Sequence, residues 1–439
     1  MRKSFTIAAI FTLLIAAAWF LSDSLYFSPY DAQKFGISFT QLSGVLAIAL
    51  MAFSTLLAVR PIWMENWFMG LDKMYRLHKW MAIVAMVIGV AHWLTAQSPN
   101  GHHGPRAAVA ATDTASAASQ SFLSSLEGPA REVAQPALWI LLALVAIALI
   151  KKIPYHIFAL THRLVPLVFL VLVFHSVVWM RSSYWAQPIG ILMAPIYVIG
   201  TVAALIGLFR LIGAGRKVEG TVTSKRHFAD VRTLLVEMEM DKAWKGHKPG
   251  QFVFVRARRM WGAHPFTIAS AWTGKSQRIS FIVKELGDAT KDLASKLPIG
   301  AKLIVEGPYG RFNFDDSKLR QIWISGGIGI TPFVARMEQL IEKPEGRPID
   351  LFHSDPVQAT DAHDLMRRDT KRSGVNLHLM ITPVHGRLTG EKIRKEVPDW
   401  KSASVWFCGP SRFAAVLKLD LMRHGLKSQD FHHELFEMR

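Results

Sequence analysis

The sequence predicts a multidomain protein with a six-helix transmembrane bundle over residues 1–213, an antiparallel β-barrel over residues 214–316 and an α/β domain with a parallel sheet over residues 317–439. Three patterns support this division. Long apolar stretches occupy the first half, short β-rich runs follow them, and the last part alternates strands with helices around a glycine-rich turn.

The composition indicates a chain that lies partly in lipid. Of the 439 residues, 51% are hydrophobic and only 19% are charged, against roughly 25% charged residues in soluble domains. The single cysteine, Cys408, excludes disulfide frameworks within the chain, zinc sites built from several cysteines and iron–sulfur clusters held by four thiolates. We therefore expect any metal to be held mainly by the 17 histidines and by carboxylates.

Six apolar stretches are long enough, with their borders, to cross a hydrocarbon layer of about 30 Å at about 1.5 Å per helical residue. They lie at residues 5–21, 42–59, 80–94, 136–150, 164–179 and 189–212. The first stretch has an alternative interpretation as a secretory signal peptide, because Arg2 and Lys3 precede its apolar core and small residues follow. Removing it would leave five spans with a poorer charge pattern.

The net charge is +18, and the basic residues between the predicted spans lie mainly on one side of the membrane. With the amino terminus in the cytoplasm, these basic residues fall on the cytoplasmic side: Arg2, Lys3, Arg60, Lys73, Arg76, Lys79, Lys151, Lys152, Arg163, Arg210, Arg216 and Lys217. This pattern predicts a membrane protein whose amino terminus and carboxyl-terminal half are cytoplasmic, which in a bacterium means the inner membrane. We expect no nucleic-acid partner, since the basic residues form no patch interleaved with aromatic side chains. Residues 107–125, rich in Ala, Ser and Thr, predict a flexible external loop.

Four histidines bracket two of the predicted spans. His78 and His92 are 14 residues apart and His162 and His175 are 13 apart, so each helix offers imidazoles at two depths roughly 20 Å apart. Facing imidazoles at one level suit six-coordinate haem iron, and two levels predict two haems. On an ideal helix His162 and His175 would point about 140° apart, which a kink at Pro166 could relieve. The alternative is that these histidines only form hydrogen bonds to neighbouring helices.

The β-rich runs of the second domain are short and closely spaced, which favours an antiparallel barrel or sandwich. They lie at residues 218–224, 233–238, 252–256, 279–283 and 302–305. The segment HPFTIAS, from His264, is typical of a turn that leads into a strand. The segment VKELGDAT, from Val283, ends a strand in a glycine turn and a helix start, where backbone N–H groups and a hydroxyl can hold a diphosphate. GPYG, from Gly307, closes this region.

From Gln321 onward, strands at residues 349–353, 376–381 and 404–408 alternate with helices, which predicts a parallel, nucleotide-binding sheet. The turn GGIGITP, from Gly326, lets the backbone approach a phosphate, although a tight structural turn is the alternative. It is not the G-x-G-x-x-G fingerprint. Cys408 ends a later strand at the edge where ligands bind in such sheets, but a lone cysteine is usually buried packing.

In this order, the two histidine pairs and the segments HPFTIAS, VKELGDAT, GPYG, GGIGITP, CGP and ELFE resemble the ferric reductase and NADPH oxidase superfamily. The resemblance covers nearly the whole chain, as a ferric reductase-like transmembrane domain fused to a ferredoxin-NADP reductase-like module. It implies FAD and two b-type haems as cofactors and NADPH or NADH as substrate. Electrons would cross the bilayer to an external acceptor, which would be a ferric chelate, dioxygen or a partner protein.

The resemblance also implies roles for individual residues. The implied metal ligands are His78 and His162 for the inner haem, and His92 and His175 for the outer haem. The implied flavin contacts are His264, Pro265, Phe266 and Thr267, and the implied diphosphate segment comprises Lys284, Gly287 and Thr290. The implied nicotinamide dinucleotide contacts are Gly326, Gly327, Gly329, Thr331, Pro332, Cys408, Gly409 and Pro410. Phe436 resembles the aromatic residue that stacks on the flavin, and the candidate catalytic residues are Cys408, Phe436 and Thr267.

Two positions depart from the family pattern. Oxygen-reducing members carry another histidine one turn beyond the outer ligand, where this chain has Ala96, so we place a ferric chelate or another oxidant ahead of dioxygen. Asp355 follows the second strand of the nucleotide domain, where a carboxylate repels a 2′-phosphate, whereas Arg367 and Arg368 would favour one. Cofactor preference therefore stays open. A haem-binding or transport protein with a regulatory flavin domain, or an electron-donor module for a partner reductase, are the alternative functions.

Overall fold

The computed structural model describes residues 2–23, 32–68, 70–98, 114–256, 263–274, 276–285 and 290–434. Two compact units divide the chain, one of residues 1–212 with 437–439 and one of residues 213–436. The boundary predicted at residue 213 lies next to this division. The β-rich and α/β parts fall in one unit, so the boundary between residues 316 and 317 stays a prediction.

The first unit is built from helices. In the described part of the chain, six segments are long and apolar enough to cross a membrane, as the sequence predicts. The helices are α1 (Arg2–Ser22), α2 (Ala32–Val59), α3 (Ile62–Phe68), α4 (Leu71–Gln97), α5 (Thr114–Leu149), α6 (Tyr155–His162), α7 (Val165–Trp179) and α8 (Pro188–Leu208). Helices α6 and α7 together form one candidate span, Tyr155–Trp179.

Small and apolar side chains hold this bundle together. Ile15 and Trp19 of α1 lie in the same buried cluster as Phe169 of α7, so the first apolar stretch packs as part of the bundle. A Cβ atom at Gly200 of α8 would lie 2.8 Å from the Cβ atom of Ala52 in α2. Lipid tails are as apolar as leucine, so helices in a bilayer associate through close packing of this kind.

The predicted external loop at residues 107–125 is only partly described, because residues 99–113 lie outside the described ranges. From Thr114 onward the chain is helical and belongs to α5. The loop prediction is wrong for residues 114–125. Alanine has the highest intrinsic helix propensity, and extending an existing transmembrane helix avoids the cost of nucleating a new one.

The second unit begins with an antiparallel sheet of six strands in the order β4-β3-β6-β1-β2-β5. The strands are β1 (Lys217–Phe228), β2 (Thr233–Met240), β3 (Phe252–Arg256), β4 (His264–Thr267), β5 (Arg278–Lys284) and β6 (Lys302–Tyr309), and a short helix α9 (Leu293–Lys296) precedes β6. Alternate residues along β2 point into the core, where Val236 and Met238 pack against Phe281 of β5.

This sheet is antiparallel, as predicted, but a closed barrel is not confirmed. Beyond the ends of the sheet's ladders, Ile268 forms an isolated bridge with Phe281, and the Ala269 N–H donates to the Ser280 carbonyl at 2.8 Å. The chain then leaves β5, because the Ala271 N–H donates to the Glu338 carboxylate at 2.7 Å. One bridge does not close a sheet into a barrel.

A parallel sheet follows, with strand order β11-β10-β7-β8-β9, and confirms the predicted α/β pattern. Its strands are β7 (Arg320–Gly326), β8 (Ile349–Asp355), β9 (Asn376–Ile381), β10 (Ala403–Cys408) and β11 (Phe431–His433). Its helices are α10 (Thr331–Glu342), α11 (Thr360–Ser373), α12 (Thr382–His385), α13 (Gly390–Glu396) and α14 (Ser411–Arg423). The strand order reverses between β7 and β10, and open α/β sheets bind ligands at such switch points.

Asp316 ties the amino ends of β7 and β10 together. Its carboxylate accepts hydrogen bonds from Ser404 Oγ and Gln321 Nε2, both at 2.7 Å, and from Trp406 Nε1 at 3.0 Å. Burial raises the pKa of Asp316, but the hydrogen bonds from Ser404, the Lys318 N–H and the other donors outweigh this and lower it. The ionised carboxylate therefore stabilises the fold.

We predict that Asp316→Ala lowers the free energy of unfolding by about 3 kcal/mol, because Ser404, Gln321 and Trp406 each lose a hydrogen bond to the carboxylate. Urea unfolding in detergent, followed by tryptophan fluorescence, measures this loss. The control is Asp315→Ala at the exposed neighbouring position. Since the folded pKa lies below the unfolded value, the contribution of Asp316 should be present at neutral pH and disappear as the pH falls through its folded pKa. A pH-independent difference between variant and wild type would contradict this account.

Candidate functional site

The structure brings the four predicted metal ligands together in two pairs. The ring centroids of His78 and His162 are 6.2 Å apart, and those of His92 and His175 are 6.4 Å apart. Two imidazoles bound to opposite sides of one metal ion through bonds of about 2 Å have centroids roughly 6 Å apart. The spacing in both pairs therefore fits an iron ion with two axial imidazoles.

A break in the fifth span resolves the angular conflict that an ideal helix would impose. Helix α6 ends at His162, and α7 begins at Val165 with Pro166 in its first turn. Proline tolerates this position because the first N–H groups of a helix have no intrahelical partner. His162 and His175 thus lie on different helices, and the 140° offset does not apply.

Backbone carbonyls fix the orientation of three of the four rings. A carbonyl only accepts hydrogen bonds, so each Nδ1 atom that contacts one carries the proton, and the Nε2 lone pair is available to a metal. The Nδ1 distances are 2.8 Å from His78 to Ser54 O, 2.9 Å from His92 to Thr40 O and 3.0 Å from His175 to Ala130 O. Within the described residues, the buried Nδ1 of His162 has no hydrogen-bond partner.

A cavity of about 200 Å³ lies beside the His92 and His175 pair, between helices α2, α4, α5 and α7. Gly44 and Gly89 line this cavity, and neither has a side chain that would fill it. A Cβ atom at Gly44 would lie 3.0 Å from the His92 ring, whereas one at Gly89 would have its nearest neighbour at 4.0 Å. Ala96 lines the same cavity and offers no hydrogen-bond donor on its side chain.

The glycine-rich turn and the CGP segment meet at the carboxyl ends of β7 and β10. A Cβ atom at Gly329 would lie 2.1 Å from the Cys408 carbonyl oxygen, and one at Gly326 would lie 3.1 Å from Pro410 Cδ. At Gly409 a Cβ atom would lie 3.2 Å from the Gly326 nitrogen. These glycines permit the close approach of two backbone segments at the switch point of the sheet.

The same turn faces the end of β5. Gly327 has a positive φ of 53°, and a Cβ atom there would lie 3.9 Å from Lys284 Nζ. Thr331 Oγ1 donates to the Ile328 carbonyl at 2.8 Å, and Pro332 is buried in the first turn of α10. The Thr331 hydroxyl is therefore bonded within the turn itself. The groups that can bind an anion here are the amino-terminal N–H groups of α10.

The predicted flavin-contacting residues form β4, an edge strand paired with β3. Phe266 packs against the core near Phe281. Since side chains alternate across a strand, His264 shares the face of Phe266, while Pro265 and Thr267 share the opposite face. Pro265 is exposed, which leaves that face open to a ligand. Thr290 is buried, whereas Gly287 and Phe436 lie outside the described residues.

Cys408 is buried at the end of β10, next to a residue that the sequence analysis did not single out. Burial, and to a smaller degree the Glu434 carboxylate, raise the pKa of the Cys408 thiol well above its usual range. The thiol is therefore neutral and protonated. Glu434 is itself buried, and a Cβ atom at Gly310 would lie 3.0 Å from its Oε1 atom. Gly310, the last residue of GPYG, and Glu434, the first residue of ELFE, thus lie close together, and comparing the two motifs in the sequence could have suggested this contact.

A second cavity, of about 540 Å³, lies within the second unit between the two sheets. Lys284, Gly327, Asp355 and Arg368 are among the residues that line it. Burial raises the pKa of Asp355, but hydrogen bonds from His353 and from the Val357 N–H lower it to about 2. Arg367 does not line the cavity and instead pairs with Asp364 at 2.8 Å.

Two segments of the chain match known families. Residues 43–173 match the family described as "Ferric reductase like transmembrane component", and residues 223–313 match an FAD-binding domain. The chain therefore contains a ferric reductase-like transmembrane domain followed by an FAD-binding domain. The ferric reductase-like match includes His78, His92 and His162 and ends two residues before His175.

Individual relatives are similar over part of their length. An NADPH oxidoreductase of Mycobacterium tuberculosis is 25% identical over 45% of this chain and 54% of that protein. The glycine betaine monooxygenase reductase subunit of Chromohalobacter salexigens is 25% identical over 43% of this chain and 56% of that protein. The chain thus spans about half the length of these relatives. A flavohemoglobin structure from Malassezia yamatoensis, solved with bound FAD and heme, has a TM-score of 0.46 and 18% identity over 74% of this chain and 88% of that one.

We predict that Gly329→Ala lowers the free energy of unfolding of the second unit by at least about 2 kcal/mol, because the added methyl group must push the turn away from the Cys408 carbonyl. Thermal unfolding in detergent measures the loss. Gly215→Ala is the control, since no heavy atom lies within 4 Å of a Cβ atom at that glycine. Equal effects of the two substitutions would show that the close approach of β7 and β10 has no energetic importance.

Proposed function

We propose that this protein is a membrane oxidoreductase that uses cytoplasmic NAD(P)H, FAD and two b-type haems to reduce an acceptor on the outer face. The proposal rests on the two imidazole pairs, whose ring centroids are 6.2 and 6.4 Å apart. In each pair, a backbone carbonyl orients at least one ring. The two family matches support it, since a ferric reductase-like membrane domain precedes an FAD-binding domain in one chain.

In this proposal, His78 and His162 hold one haem and His92 and His175 hold the other. When bound, FAD accepts a hydride and divides its electron pair, and haem iron carries one electron at a time. The chain positions the imidazole rings and leaves space between the helices. The carbonyls of Ser54, Thr40 and Ala130 orient three rings, and the glycines of α2 and α4 leave room between the helices.

The second unit supplies the nucleotide sites of the proposal. Gly326, Gly327 and Gly329 let the turn after β7 approach a dinucleotide diphosphate, and the amino-terminal N–H groups of α10 bind its negative charge. Pro265 and Thr267 present the open face of β4 to the flavin. Cys408 ends β10, and Glu434 follows β11 beside it, where the nicotinamide would bind; the protonated thiol adds no charge there.

The orientation in the proposal follows from the basic residues at the borders of the spans. The amino terminus and the second unit lie in the cytoplasm, and the external loop before α5 lies outside, which for a bacterial protein means the inner membrane. His78 and His162 are then the inner pair and His92 and His175 the outer pair. Ala96 in the outer cavity provides no donor for bound dioxygen, so we propose a ferric chelate or another external oxidant as the first acceptor.

We predict that the detergent-purified protein, given FAD and NADH or NADPH without oxygen, bleaches the nicotinamide absorbance and shifts the haem spectrum to the reduced form. Adding a ferric chelate should restore the oxidised spectrum. A haem-binding or transport protein would leave the nicotinamide absorbance unchanged. That result, in a sample with full haem and flavin content, would overturn the proposal.

We also predict that His92→Leu loses one of two haems while NAD(P)H-to-flavin electron transfer stays nearly intact, because the variant leaves the second unit untouched. Pyridine haemochrome analysis measures the haem content per chain. His156→Leu is the matched control: it makes the same substitution at an exposed residue of α6. If His92→Leu keeps two haems, the ligand assignment is wrong.

A further inference from the structure

Three buried side chains converge at the carboxyl end of β8, on the wall of the cavity between the two sheets. His353 and Asp355 are alternate residues of the strand and therefore share one face. His363 reaches them from the first turns of α11. Each of the three is at most 6% exposed. Among the described residues, these form a group of His and carboxylate side chains whose donor atoms all lie within 4.8 Å of one another.

The distances from Asp355 to the two imidazoles are long for hydrogen bonds and also fit ligands of a shared metal ion. Asp355 Oδ2 lies 3.5 Å from His353 Nε2 and 3.3 Å from His363 Nε2, whereas N–H···O bonds are usually about 2.9 Å long. In a tetrahedral site with bonds of about 2.0–2.1 Å, neighbouring ligand atoms are about 3.3 Å apart. An octahedral site with similar bonds would bring them to about 3.0 Å. The two separations from Asp355 are closer to the tetrahedral value.

Outer contacts hold the three groups in place. Ser325 Oγ lies 2.8 Å from His353 Nδ1, and the Val357 N–H donates to Asp355 Oδ1 at 3.1 Å, which leaves Oδ2 facing the imidazoles. The Ala359 N–H makes a longer contact of 3.3 Å to His363 Nδ1. With a metal on Nε2, the ring proton moves to Nδ1 and this long contact is lost, so binding has a modest cost at His363.

We propose that His353, Asp355 and His363 bind a divalent cation of the zinc class. Two imidazoles and one carboxylate are a ligand set that tetrahedral zinc accepts, with a fourth position left for water or a ligand oxygen. All three residues line the cavity that also contains Lys284 and Gly327, so the fourth position faces the space between the two sheets. The cation would fix α11 to the end of β8 and add positive charge beside that cavity.

The test uses the full-length protein in detergent, without a histidine tag, after treatment with a chelator. Elemental analysis after dialysis against micromolar Zn²⁺ should give one zinc per chain, and titration with Co²⁺ should give the visible absorption of a four-coordinate site. Asp355→Asn and His363→Gln should each weaken binding at least about 100-fold, because each removes a side-chain atom that binds the metal directly. Ser325→Ala should weaken it roughly 10-fold, because the Ser325 hydroxyl only orients the His353 ring.

His378→Gln is the matched control. His378 Nε2 also lies beside a carboxylate, 3.1 Å from Asp350 Oδ1, but its other close neighbour is the Asn376 amide, which donates to the same carboxylate. This variant should bind zinc like the wild type. Circular dichroism and the flavin and haem content of each sample separate a lost metal site from a misfolded chain, and separate this proposal from the redox function.

Two outcomes would overturn the proposal. One is a chelator-treated wild type that takes up no Zn²⁺ or Co²⁺ at micromolar concentration while it stays folded. The other is zinc uptake that Asp355→Asn and His363→Gln leave unchanged, since the metal would then bind elsewhere. In either case the three side chains form only a hydrogen-bonded cluster.

Discussion

The membrane unit depends on hydrogen bonds between imidazole Nδ1 atoms and backbone carbonyls. Ser54 and Thr40 lie in α2 and Ala130 lies in α5, and the carbonyl of each accepts from one histidine of a facing helix. A carbonyl oxygen has two lone pairs, so it can accept this bond in addition to a helical one. The result is a fixed tautomer without any buried charged partner, which would be costly in the bilayer.

Close packing makes these contacts possible. The glycine at position 44 lets α2 approach the His92 ring, and the break between α6 and α7 separates the two histidines of the fifth span onto different helices. His162 differs from the other three histidines because its buried Nδ1 has no hydrogen-bond partner within the described residues. In the described part of the chain, a carbonyl therefore orients only His78 in the His78–His162 pair, whereas carbonyls orient both rings of the His92–His175 pair.

In the second unit, glycines permit a similarly close approach of two backbone segments at the switch point of the parallel sheet. The turn after β7 and the segment after β10 approach so closely that a methyl group at Gly329 would overlap the Cys408 carbonyl. This approach places the turn, the thiol and the Glu434 carboxylate in one region. The helix α10 begins at the same edge, so its amino terminus faces the cavity between the sheets.

Much of this architecture follows from sequence patterns that are local in the chain. The lengths of the apolar stretches predicted the six spans, and the alternation of strands and helices predicted the parallel sheet. The spacing of 14 and 13 residues placed the four histidines at two depths, because helical rise is constant. The structure adds the pairing distances, which depend on how α4 faces α6 and α7. The sequence overestimated closure of the antiparallel sheet, since the contact of Ala271 with Glu338 is not local.

The sequence by itself determined the number of spans, the order of domains and the histidines that could act as ligands, because each depends on hydrophobic length or on a fixed repeat along one element. Only the tertiary structure decided which carbonyls orient the rings, that Glu434 lies beside Cys408, and that His353, Asp355 and His363 converge. These contacts join residues on different elements, and their distances depend on packing angles and side-chain rotamers that no local pattern encodes.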